Sequence, residues 1–93
     1  MNEPAPPRAT LTQLRTFEAV ARLGGVGRAA RALHLAQPTV STQLRELALG
    51  LDTTLFVPAG RGLRLTDEAA PLLEAAREML AAWRRYEERA AQA

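Results

Sequence analysis

The sequence predicts a mainly α fold, a winged helix-turn-helix of three helices and a two-stranded wing, followed by one long linker and dimerisation helix. Three observations predict it. The run AARALHLAQPTVSTQLREL, Ala29 to Leu47, reads as two short helices around a tight turn. Two short β-like runs then flank a loop rich in glycine and proline, and the last third of the chain carries one broad apolar stripe.

Taken in order, residues 1–10 form a Pro- and Ala-rich leader, expected to be disordered and lacking the apolar core of a secretory signal. The first helix spans Thr10 to Leu23. Thr10-x-x-Gln13 offers a capping box, Leu14, Phe17, Val20 and Ala21 form its apolar face, and Gly24-Gly25 ends it. A second helix follows from about Gly27 to Leu33 and a third from about Gln37 to Leu49. Ala30 and Leu33 lie three apart, and Val40, Leu44 and Leu47 recur at i, i+4 and i+7, so each helix has one core face.

The outward face of the third helix follows from the same rotation. Pro38, Thr42 and Arg45 lie opposite the apolar stripe, with Thr39 and Ser41 on its flanks. A short, polar, singly basic face of this kind suits the major groove of DNA, where hydroxyls, amides and a guanidinium meet base edges and phosphates. Pro38 is tolerated in a first turn, and the free N–H groups there can face a phosphate.

The wing is expected from Leu55-Phe56-Val57 and Leu63-Arg64-Leu65, joined by the loop Pro58 to Gly62. Arg61 sits between two glycines at its tip, where it can reach a minor groove, most favourably over A·T-rich sequence. Thr66 is expected to cap the last helix, with Asp67 and Glu68 in its first turn and Pro71 about five residues in. Leu72, Leu73, Ala76, Met79, Leu80, Trp83 and Tyr86 fall on one stripe. A helix of about 24 residues is about 36 Å long, longer than its small domain, so part of this stripe needs another partner. A second copy in a C2 dimer is the simplest.

Charge and composition bound the function. All twelve basic residues are arginine; Leu11 to Leu65 carries seven of them against three acids, whereas Thr66 to Ala93 carries four against six. The basic excess therefore belongs to the helix-turn-helix part, which permits phosphate contact. There is no cysteine, which removes thiolate metal sites, and no apolar run that predicts a membrane span. His34 is the single histidine and no Gly-rich phosphate loop follows a strand, so neither an enzyme nor a cofactor is expected. A winged-helix or helical dimerisation module that binds protein rather than DNA remains the alternative. The candidate DNA contacts are Arg28, Gln37, Pro38, Thr39, Ser41, Thr42, Arg45 and Arg61.

These residues also resemble a known family. The AARALHLAQPTVSTQLREL run, Leu55-Phe56, GRGLRLT from Gly60 to Thr66 and the following pair of leucines closely resemble the DNA-binding domain of LysR-type transcriptional regulators. The wording QPTVSTQLREL looks most like regulators of carbon-fixation operons. The resemblance implies that Gln37, Pro38 and Ser41 are recognition-helix contacts, that Arg61 enters a minor groove, and that Thr66 opens a helix pairing antiparallel with its twin. It implies a cytoplasmic homodimer reading an interrupted palindrome with a T and an A in its half-sites, and an effector-binding domain lying outside this chain. Ala36 stands where the family usually has serine, Thr42 and Pro58 where arginine is common, Gly27 where serine or threonine often touches a phosphate, and Asp52 where glycine is usual. The first four departures weaken phosphate contact rather than docking mode.

Overall fold

A computed structural model describes residues 8–93. The elements run α1 (Leu11–Leu23), α2 (Val26–Leu33), α3 (Gln37–Leu51), β1 (Phe56–Ala59), β2 (Gly62–Leu65) and α4 (Ala70–Gln92), with the two strands antiparallel. The expected leader lies outside the described residues as far as residue 7. At its end Ala9 packs on the core, which a disordered leader would not do, and Thr10 closes the expected capping box with Gln13.

Three left-handed residues stop the first three helices. Gly24 ends α1 at φ 81°, with its N–H on the Val20 carbonyl at 2.8 Å. His34 ends α2 at φ 57°, where the Leu35 N–H reaches back to the Ala30 carbonyl at 2.9 Å. Asp52 ends α3 at φ 50°, with the Thr53 N–H on the Ala48 carbonyl at 3.0 Å. The last two are Schellman-type closures, and Asp fills a position usually given to glycine because its short side chain tolerates this backbone.

Two apolar clusters meet at Leu44 and Phe56. One joins Ala19, Val20, Ala29, Ala30 and Val40, where α1, α2 and α3 cross. The other joins Leu14, Phe17, Leu47 and Leu55 to Ala69 and Ala76 at the start of α4. Phe17 and Phe56 stack at a tilt with ring centroids 5.5 Å apart, tying the first strand to α1. The buried Thr16 hydroxyl donates to the Gln43 side-chain carbonyl and so links α1 to α3.

The wing is tighter than the sequence suggested. Ala59 pairs with Gly62, so Pro58 and Ala59 belong to β1, Gly62 to β2, and only Gly60 and Arg61 form the turn. Gly60 takes φ 58°, which a two-residue hairpin favours at its first central position. Pairs alternate in an antiparallel ladder, and the pair next to the turn is hydrogen-bonded, so Pro58 and Leu63 form the following, non-bonded pair. Their backbone nitrogens face outward. Proline loses nothing there, and Leu63 uses its N–H on the Gly24 carbonyl at 3.0 Å.

The last helix begins later than expected. Thr66 caps a turn, accepting from the Ala69 N–H at 3.1 Å while its hydroxyl donates to the Thr54 carbonyl at 2.6 Å. The α-helix starts at Ala70, so Pro71 sits in its first turn without strain, and Asp67 and Glu68 precede it. Ala76 is wholly buried in the chain's own core, which corrects its expected place at a dimer interface; Leu72 and Leu73, half-buried, pack against the same cluster. Arg77 meets Glu18 of α1 at 3.6 Å. The expected boundary after Leu65 is therefore not a packing boundary.

Gly62 is the sterically critical residue of the wing. A methyl group on it would overlap the Gly24 carbonyl oxygen, and the obstacle is backbone that cannot swing aside. Gly62→Ala is expected to lower unfolding free energy by about 1–3 kcal/mol in a denaturant titration. Parental stability in that variant would show that the wing is not pressed against the α1–α2 turn.

Candidate nucleic-acid interface

The outer face of α3 is built as its periodicity requires. Val40 and Leu47 are fully buried and Leu44 half-buried, which turns Gln37, Pro38, Thr39, Thr42 and Arg45 to solvent and leaves Ser41 on the flank. Pro38 lies in the first turn. Ala36 precedes the helix with φ −69° and ψ 144°, an extended backbone suited to a cap, but has no side chain to accept a hydrogen bond.

The expected contacts fall into three groups. Arg28, Gln37 and Arg61 come together on a cleft of about 650 Å³ between the start of α2, the start of α3 and the wing. Pro38, Thr39 and Thr42 form the outer ridge of α3 beside Gln43 and Glu46. Arg45 stands apart from the cleft, at the mouth of an apolar groove between α3 and the wing lined by Ala48, Leu49, Leu55 and Phe56. The first two groups share one side of the molecule through Gln37 and Pro38, which are consecutive.

The cleft is basic without compensation. Arg28, Arg31 and Arg61 line it, and no acidic residue among those described does. Among the described residues the ion pairs lie at Glu18, with Arg22 at 3.2 Å and Arg77 at 3.6 Å, away from the cleft. Arg28 donates to the Leu23 carbonyl at 3.3 Å, which fixes its side chain at the rim. An uncompensated trio of guanidiniums on a concave surface focuses positive potential toward an approaching anion. Arg31 was not among the sequence candidates; its i+4 relation to Gly27 is the signal that could have found it.

The far half of α4 carries the exposed apolar residues. Met79 is 43 % exposed, Trp83 45 % and Tyr86 53 %, with the two aromatic rings 5.3 Å apart. Leu80 and Trp83 also line a groove against α1 that includes Leu11, Arg15 and Leu33. No helix among the described residues is long and apolar enough to cross a membrane.

The family model for bacterial regulatory helix-turn-helix proteins of the lysR family matches residues 11–70, from the start of α1 to the first residue of α4. The chain belongs to the LysR family. Its fold is the winged helix-turn-helix of LysR-type DNA-binding domains: the crystal structure of the CbnR DNA-binding domain with DNA superposes with a TM-score of 0.80 at 34 % identity, over 89 % of this chain and 95 % of that one. The HTH-type transcriptional regulator TfdS of Cupriavidus pinatubonensis is 48 % identical over 68 residues, 73 % of this chain and 23 % of that protein. A RuBisCO operon transcriptional regulator of Allochromatium vinosum is 40 % identical over 79 residues, 85 % of this chain and 26 % of that protein. The likeness to a carbon-fixation regulator thus stands beside a higher identity to TfdS. The chain spans about a quarter of the length of these curated relatives.

Within this LysR domain, Ala36 is the departure with a direct structural reading. The first turn of α3 lacks a side-chain acceptor, although the cap backbone is already in place. Ala36→Ser is expected to raise stability by about 0.5–2 kcal/mol, measured by thermal unfolding. An unchanged midpoint would mean that the α3 N-terminus already has its partners.

Proposed function

We propose that this chain is the sequence-specific DNA-binding unit of a transcriptional regulator that acts as a homodimer. The observation that carries the reading is the acid-free cleft in which Arg28, Gln37 and Arg61 meet from three different elements. In this reading α3 enters a major groove. Gln37, Pro38, Thr39 and Ser41 face base edges, Thr42 and Arg45 meet the flanking backbone, and Arg61 reaches the adjacent minor groove. The CbnR domain, 34 % identical over nearly the same length, was crystallised as a complex with DNA, which supports the DNA-binding reading.

The dimer is assigned to the far half of α4. Met79, Leu80, Trp83 and Tyr86 leave a continuous apolar stripe exposed or half-exposed on one chain, and the same stripe on a second copy covers it under C2 symmetry. Each protomer then contributes one recognition helix, and the bound site is an interrupted palindrome. A regulator of this kind works on the bacterial chromosome, in the cytoplasm.

Three measurements test the reading. The logarithm of the affinity for duplex DNA should fall linearly with the logarithm of salt concentration, because bound arginines release counterions; no retention on duplex at any moderate salt would identify a protein-binding module instead. Gln37→Ala should reduce discrimination between a palindromic and a scrambled duplex by about 1–3 kcal/mol, while Arg61→Ala should weaken binding mainly on A·T-rich flanks. If both variants bound as tightly and selectively as the parent, the assigned contacts would be wrong. Trp83→Glu should sediment as a monomer where the parent sediments as a dimer, and an unchanged dimer would exclude this stripe.

A further inference from the structure

Arg31, like Arg61, has no hydrogen-bond or ion-pair partner among the described residues. Arg28 spends a donor on the Leu23 carbonyl, whereas Arg31 is exposed and makes neither a side-chain hydrogen bond nor an ion pair within that set. Its side chain nevertheless has a definite place. It folds back along α2 so that Nη1 comes to 3.7 Å from where a Cβ on Gly27 would stand, and Gln37 Oε1 lies 3.8 Å from the same point. The guanidinium of α2 and the amide of α3 therefore straddle a bare backbone position. A Cβ there would make only ordinary contact, so packing does not demand glycine.

This arrangement has the parts of a phosphate seat. Five N–H donors on a planar fork are available, the backbone beneath them is uncovered, and Arg28 and Arg61 add positive charge on either side. We propose that Arg31 grips a DNA backbone phosphate over Gly27, beside the Gln37 amide. The inference rests on the DNA-binding reading and adds to it one backbone contact. A guanidinium reaching over glycine replaces a short hydroxyl at position 27, placing the donor further from the helix axis. Gln37 is then a base reader and Arg31 a sequence-independent phosphate contact.

The test is a salt titration of binding to a fluorescently labelled duplex of random sequence, repeated on a palindromic duplex. Arg31→Ala and Arg31→Gln should each make the log–log salt slope shallower by about 0.9 per protomer bound, with the same loss of affinity on both duplexes. Gly27→Ser should recover part of the lost affinity in the Arg31→Ala background without restoring the slope, because a hydroxyl can hydrogen-bond a phosphate but displaces no counterion, and should gain nothing in the parent, where the guanidinium already holds the site. Arg22→Ala, whose guanidinium is paired with Glu18 away from the cleft, should leave the slope at the parental value. A parental slope in both Arg31 variants, or a loss confined to particular base pairs, overturns the proposal while leaving the DNA-binding reading intact. Absence of salt-dependent binding by the parent overturns both.

Discussion

The Leu63 N–H meets the Gly24 carbonyl at 3.0 Å, and this link between the wing and the α1–α2 turn governs where the basic groups of the cleft stand. It exists because Gly62 has no side chain to hold the two backbones apart. It is available because a two-residue turn turns the Leu63 N–H away from the partner strand. Two strands alone are marginal in water. Docked on Gly24, with Phe56 against Phe17 and Leu55 in the core, they become a fixed arm that holds Arg61 across from Arg28 and Gln37.

A second constraint couples this surface to the rest of the chain. The first half of α4 is part of the domain's own core through Ala69, Ala76 and the Arg77–Glu18 pair, and the second half leaves it. One continuous helix of 23 residues, about 35 Å long, therefore connects the cleft's scaffold to the exposed Trp83 and Tyr86. Nothing along it is a flexible linker. Any partner held by the far half is held in a fixed relation to α3, which is what a reader of two spaced half-sites requires.

Much of this was legible in the sequence because it depends on local chemistry. The Thr10–Gln13 capping box, the stop at Gly24, the left-handed Asp52 and the burial of Val40, Leu44 and Leu47 all follow from residue type and spacing. What was misread depends on tertiary contact. Thr66 followed by two acids looks like a helix cap, and its hydroxyl does accept from the Ala69 N–H, but what it closes is a turn that precedes the α-helix starting at Ala70. A stripe from Leu72 to Tyr86 cannot announce which half its own domain covers, so Ala76 was assigned to the wrong surface. Arg31 was overlooked because only the fold brings Gln37 beside it. The cleft was half legible: its members Arg28, Gln37 and Arg61 could be named, but their convergence could not.

The central claim is that α3 and the wing form one reading surface used in two symmetric copies. Selection of bound duplexes from a random pool tests it most directly. The account predicts enrichment of an interrupted palindrome, with base preferences in each half-site where α3 reads the major groove and a preference for A·T pairs on the flank reached by Arg61. Recovery of single, unpaired sites, or of no enriched sequence at all, would contradict it.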